Sequence, residues 1–343
     1  MKKFGITSGV VIALFSPGLA VAEPSALLKQ AREHFAPLPA VPAAKDPVSV
    51  ARVELGRRLF FENRASADGN IGCFFCHQAD KGGADGLAKA VGVNGKVNAR
   101  NAPSIFNAAL NFKQHWRGDR ESLEDQAEKS LLGPATFGNT DIAVPIGKLK
   151  AIPGYATAFA KAFPDDKDAV TQKNWGAAIA AYERTLLTPS KFDAFLAGDE
   201  KALSKAEQAG LAKFIEHGCN GCHDGAGVGG SSFSKFEAAE ALAKEAGVAQ
   251  PDKGRADVTK NDADLYVFKV PSLRNVAQSG PYFHDGSVAD LGKAVKIMGK
   301  SQLGKDLPDD DVKAIVAFLG ALSGPAPANF SAPEPFPDAP AKP

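Results

Sequence analysis

Apolar residues recur at helical spacing in several stretches of the chain. Over residues 49 to 61, Leu55 and Leu59 stand one turn apart and Phe60 follows. Residues 119 to 132 read as a polar helix after a Trp116-Arg117-Gly118 turn. Residues 174 to 187 put Trp175, Ile179, Tyr182 and Leu186 on one stripe, a core-packing pattern, and Pro189 ends it. Ser204 is an N-cap whose capping box is completed by Glu207; Leu211, Phe214 and Ile215 supply the buried face and Gly218 the stop. Pro308 to Leu319 is a last helix with Val312, Ile315, Val316 and Leu319 on one side.

Between these helices the chain is loop-rich. Residues 78 to 103 are rich in glycine, asparagine and lysine, and loops of that length in compact domains carry function. Residues 224 to 264 read as mostly loop, and strand signals are sparse. The predicted fold class is therefore mainly α with long loops and little strand. Proline-rich residues 36 to 48 predict an extended lead-in, covering 23–48 as a whole. The tail 324–343 is proline-rich with no apolar period, which predicts disorder.

Residues 1–22 read as a cleaved secretory signal. Lys2 and Lys3 precede a short apolar run, and Ala20-Val21-Ala22 is an A-x-A cleavage site. The run is shorter than the about 20 residues of a membrane span. The mature chain is expected in the periplasm, with no membrane span. Lysine plus arginine (40) nearly cancels aspartate plus glutamate (39), so nucleic acid binding is not indicated. The length suits two domains, divided between about 165 and 200.

The chemistry is carried by Cys73-Phe74-Phe75-Cys76-His77, repeated as Cys219-Asn220-Gly221-Cys222-His223. Two cysteines three apart, followed at once by histidine, can each add a thiol to a haem vinyl group while the histidine ligates the iron. All four cysteines of the chain are used. A pair of disulfides is the plain alternative, but it leaves His77 and His223 unexplained. The order helix, C-x-x-C-H, long loop, helix occurs twice. This predicts two cytochrome c-like haem domains, 49–190 and 191–323, and two covalently bound haem c groups.

The ligand opposite each histidine decides what each iron does. For the second haem the candidate is Met298, the only methionine after Met1, in the same unit and ahead of the last helix. For the first haem no methionine lies between 77 and 200, so its iron is open or faces His115.

Further motifs carry a resemblance. They are Leu55-Gly56-Arg57-Arg58-Leu59-Phe60, Arg100-Asn101-Ala102-Pro103, Trp116-Arg117-Gly118-Asp119-Arg120, Phe268-Lys269-Val270-Pro271-Ser272-Leu273-Arg274-Asn275, Pro281-Tyr282-Phe283-His284-Asp285-Gly286-Ser287 and Ile297-Met298-Gly299-Lys300-Ser301-Gln302-Leu303-Gly304. With the two haem motifs, they resemble the bacterial di-haem cytochrome c peroxidase family, which includes the MauG-type oxidases, over roughly residues 50 to 323. The resemblance implies a low-potential peroxidatic haem on His77 and a high-potential electron-entry haem on His223 and Met298. It implies that Trp116 relays electrons between them and that Gln126 is a distal-pocket glutamine. It also implies a calcium ion held by Asn101 and the carbonyls of Ser279 and Pro281, a small cytochrome c or cupredoxin as donor, and a homodimer.

Two departures stand out. Where many members carry a distal histidine, this chain reads Val91-Gly92-Val93-Asn94-Gly95, so the first haem is expected to be open without prior reduction. Where the family has a proton-moving glutamate, Gly133-Pro134 leads to Thr140, with Asp141 one step on. Asp141 and His115 are the candidate substitutes. The expected activity is reduction of hydrogen peroxide to water. The rivals are a MauG-like oxidase acting on a partner protein and a non-catalytic di-haem carrier.

Overall fold

The computed structural model describes residues 23–41, 44–247 and 250–338, besides Met1. The expected leader lies outside the described residues, apart from Met1.

The chain is mainly helical, in line with the expected class. In order, the helices are α1 (Ala26–His34), α2 (Pro47–Phe60), the haem-motif turn α3 (Cys73–Cys76), α4 (Leu123–Ser130), α5 (Ala143–Lys150), α6 (Pro153–Ala162) and α7 (Gln172–Glu183). Then come α8 (Lys191–Ala197), α9 (Lys205–His217), α10 (Ala239–Glu245), α11 (Ala256–Thr259), α12 (Leu291–Leu303) and α13 (Asp309–Ala321). One short antiparallel pair, β1 (Phe233–Lys235) and β2 (Val267–Lys269), aligns Phe233 with Lys269.

Local chemistry explains the ends. Asp46 caps α2 and Pro47 opens it; Thr171 caps α7; Ser204 and Glu207 form the capping box of α9. Gly218 stops α9 in the left-handed region at φ 91°, where a glycine carries no Cβ penalty.

Two helix pairs organise two apolar cores. α7 packs on α2, and Leu55, Leu59, Trp175, Ile179 and Phe159 are buried around them. The stripe Trp175, Ile179, Tyr182 and Leu186 is wholly buried. α13 packs on α9, with Phe214, Phe318, Phe192 and Leu211 buried around that pair. Both pairs close on a glycine: Gly56 against Ala178, and Gly210 against Ala314.

Two expectations are corrected. The lead-in is not extended throughout: Ser25 caps α1, whose Leu28 and Ala31 pack, with Phe35, on Phe192 and Phe214 of the second core. The 224–264 stretch is mostly loop, as expected, with the short elements β1, α10 and α11 set within it. The tail, as far as residue 338, is packed rather than disordered. Phe330 meets Phe60, Phe61 and Phe106, and Phe336 lies between Tyr155 and Arg58. Aromatic contacts outweigh proline content here, because each buried ring removes a large apolar area from water. α1 and the 330–336 segment thus each pack on the core farther from them in sequence. Among the described residues no helix is long and apolar enough to cross a membrane.

Candidate active site

No disulfide joins the four cysteines to one another. In α3 the i, i+3 spacing brings Cys73 and Cys76 to one side of a single turn. The His77 N–H closes that turn on the Cys73 carbonyl at 3.1 Å. His77 Nδ1 donates to the Gly83 carbonyl at 2.9 Å, which leaves Nε2 with its lone pair. Burial pushes the imidazole pKa down against that bond, and the His115 charge adds to the lowering. The ring is thus held in the neutral form that ligates iron.

The second motif is built the same way. The His223 N–H bonds the Cys219 carbonyl at 3.0 Å, and burial pushes the ring pKa down to about 4. Its Nδ1 faces the Pro271 and Val228 carbonyls, although neither meets hydrogen-bond geometry. Burial pushes the Cys76 thiol up to about 12 and Cys219 up to about 11.

A repeat that the sequence reading did not pick out braces the loop that follows each motif. Pro103-Ser104-Ile105-Phe106-Asn107 and Pro271-Ser272-Leu273-Arg274-Asn275 share Pro-Ser-x-x-Asn. Ser104 Oγ donates to the Gly82 carbonyl (2.7 Å) and Ser272 Oγ to the Gly227 carbonyl (2.8 Å). Thr188 joins the two repeats: Asn107 Nδ2 donates to its Oγ1 at 2.7 Å, and that Oγ1 donates to Asn275 Oδ1 at 2.7 Å.

A cavity of about 250 Å³ opens over the second motif. Cys219, Cys222 and His223 line one side and Met298, on α12, also lines it, with Phe214, Ile315 and Leu319 among the walls. Gln302 Nε2, on the same helix, is buried without a protein partner. Two thiols, a neutral imidazole, a thioether, apolar walls and unsatisfied polar atoms are what a covalently bound haem requires, so the residues fit that group.

Trp116 lines this cavity too, its indole N–H donating to the Asn101 carbonyl at 3.0 Å. The residue before it, His115, is near enough to His77 for its charge to lower that pKa. His115 Nδ1 lies 3.4 Å from Asp119 Oδ1. Burial would raise the Asp119 pKa, but the His115 hydrogen bond and the charges of His115, Arg117 and Arg120 hold it well below the usual carboxylate range. Lys269 stands in the Phe268–Asn275 motif, which gave it no role of its own. It is buried in the same cavity wall, and desolvation pushes its pKa down to about 8.

The remaining predicted residues fall as follows. Asn101, Ser279 and Pro281 all line the Trp116 cavity. Asn101 Nδ2 is held by the Leu87 carbonyl at 2.8 Å. Among the described residues no group of three or more His, Cys, Asp or Glu is placed to hold a metal ion. Gln126 is half-buried on α4 and makes no side-chain hydrogen bond among the described residues. Val93 is buried against Gly138, its N–H on the Thr136 carbonyl at 3.1 Å. Asp141 is exposed, with Oδ1 accepting the Ala143 N–H at 2.9 Å.

Comparison with known proteins agrees with this geometry. Residues 50–201 match the family described as di-haem cytochrome c peroxidase. The chain is 41% identical to cytochrome c551 peroxidase of Pseudomonas aeruginosa, over 93% of this chain and 92% of that one. It is 30% identical to the methylamine utilization protein MauG of Methylophilus methylotrophus, over 85% and 89%. Among solved structures it resembles a MauG-like protein associated with microbial copper homeostasis, with TM-score 0.74 and 26% identity, covering 93% of this chain and 99% of that one. Two C-x-x-C-H turns, each followed by a loop that its own Pro-Ser-x-x-Asn segment braces, and identity along almost the whole chain lead to one conclusion: this is an enzyme of the di-haem cytochrome c peroxidase family.

Proposed function

We propose that the protein is a periplasmic peroxidase that reduces hydrogen peroxide to water with electrons from a small cytochrome c or cupredoxin. The observation that carries this reading is an asymmetry. Met298 shares a cavity with His223, whereas the Val93 loop is docked on Gly138 and offers the His77 site no ligand. When bound, the two haems supply the redox chemistry, accepting electrons at one site and delivering two to peroxide at the other.

The chain's own residues do the rest. Cys73, Cys76 and His77 hold the first haem in a unit spanning 49–190; Cys219, Cys222, His223 and Met298 hold the second in 191–323. Gly83 orients His77 through Nδ1. His115, paired with Asp119, moves the proton that peroxide cleavage requires, since a carboxylate partner fixes the orientation of the imidazole. The exposed, turn-capping Asp141 is poorly placed for that work. Gln126 contributes an amide to the distal pocket. Trp116, beside His115 and in the wall of the second cavity, relays electrons. The Asn101 side chain and the Ser279 and Pro281 carbonyls offer neutral oxygens to a calcium ion.

Electron paramagnetic resonance of the resting enzyme tests the reading by counting axial ligands. One high-spin and one low-spin ferric signal supports it, as does prompt cyanide binding by the fully ferric protein. Two low-spin, unreactive centres would leave only an electron carrier. The likeness to MauG and the threonine at position 140 favour a second reading, an oxidase acting on a partner protein. Peroxide consumption with and without a reduced cytochrome separates the two, because only the peroxidase depends on that donor.

A further inference from the structure

Glu183 ends α7, is 2% exposed, and its Oε2 has no partner among the described residues. The adjacent Arg184 is committed elsewhere, with Nη1 on Glu124 Oε1 at 2.7 Å. The field of Glu183 reaches the Cys73 sulfur. Asp85 repeats this beside Cys76: it is 8% exposed, Oδ1 accepts the Leu87 N–H at 2.9 Å, and Oδ2 is buried without a partner. Burial pushes Glu183 up to about 8 and raises Asp85 as well. A carboxyl so placed is costly to ionise unless a positive charge stands beside it.

The second site answers differently at the same position. Gly56 packs on the Ala178 carbonyl and Tyr182 as Gly210 packs on the Ala314 carbonyl and Phe318. The next residue is Glu183 in one helix and Leu319 in the other. Three residues further on, the Leu186 carbonyl accepts the Asn107 N–H at 2.9 Å and the Leu322 carbonyl accepts the Asn275 N–H at 3.2 Å. The two helices are therefore in register, and Leu319 lines the cavity of Cys219 and His223. The charged side chain whose field reaches the Cys219 sulfur is Lys305, a cation.

We infer that Glu183 and Asp85 are the counter-charges of the first haem, keeping its iron oxidised at potentials where the second haem is already reduced. This rests on assigning that haem to Cys73, Cys76 and His77. A ferric haem core carries one positive charge and its ferrous form none, so a buried carboxylate beside it favours the ferric state, strongly so at low dielectric. The pseudo-equivalent leucine and the nearby lysine give the second haem no such bias.

The test is a spectroelectrochemical titration of the two-haem protein and its Glu183→Gln and Asp85→Asn variants, without peroxide. Haem stoichiometry is checked first. Each substitution shifts the first haem's ferric–ferrous equilibrium toward the ferrous form by about tenfold or more, about 59 mV for a one-electron couple, and leaves the high-potential wave in place. If the low-potential wave stays put in a variant with two haems, or both waves move together, the inference is overturned. Should Glu183→Gln fail to load haem, Asp85→Asn decides on the same criterion. Because no turnover is measured, a shifted wave in an enzyme inert to peroxide would sink the peroxidase reading alone. Turnover with unmoved waves would sink this inference alone.

Discussion

A Cβ built on Gly210 would stand 1.9 Å from the Ala314 carbonyl oxygen, so α9 and α13 cross with no room for a side chain between them. The obstacle is backbone, which cannot swing aside. Gly210→Ala is expected to cost about 1–3 kcal/mol or more through overpacking. Gly320, in the same helix pair, meets nothing within 4 Å. Gly320→Ala should instead stabilise by about 0.5–1 kcal/mol, the usual helix-interior gain. Denaturation of the two holoprotein variants checks both signs.

His115→Gln is expected to lower peroxide turnover by about 10²-fold or more, the typical value of a positioned acid–base group, with both haems still bound. Asp119→Asn should lower turnover less and change its pH profile. The Asp119 pKa is lowered in the folded protein, so its contribution to stability is present above the ordinary carboxylate range and is lost as pH falls through the lowered value. The asparagine variant should lack that acid-side loss, which acid titration of unfolding measures.

Met298→Leu should lower the second haem's potential and turn its ferric signal from low-spin to high-spin, because a thioether ligand raises the potential of a haem iron. Potentiometry and electron paramagnetic resonance read the two effects. An unchanged potential would remove Met298 as the ligand.

Truncation after Gly324 should destabilise the first core. Phe330→Ala alone should cost about 1–3 kcal/mol, less than the roughly 3–5 kcal/mol of a fully buried phenylalanine, since this ring is only partly buried. Arg57, Arg58 and Arg64 also hold the tail through Ser331, Glu334 and Phe336 carbonyls. Limited proteolysis should therefore cut the Phe330→Ala variant in the tail before the parent chain.

Much of the site was legible in sequence because its chemistry is local. Cys73, Cys76 and His77 lie within one turn, and the Ser204 capping box with Gly218 announces α9. The Trp175 stripe reads as core and is core. What escaped depends on contacts distant in sequence. Nothing near Phe330 or Phe336 shows that Phe60 and Tyr155 await them, so a proline-rich tail reads as disorder. Ala26–His34 is too short to declare itself without the Phe192 surface it packs on. Glu183 looks like an ordinary helix-end carboxylate until its burial beside Cys73 is seen. The Pro-Ser-x-x-Asn repeat was present in the letters, but its meaning appears only when Ser104 and Ser272 are seen bracing equivalent loops.

The exchange of termini bears on how the protein is made. The core around Phe60 and Tyr155 is completed by Phe330 and Phe336, which are synthesised long after it. α1 must wait for Phe192 and Phe214, made well after it, before it has a surface to cover. A chain that stops between Leu322 and Phe330 would therefore hold every buried residue of the second core and lack the rings that close the first.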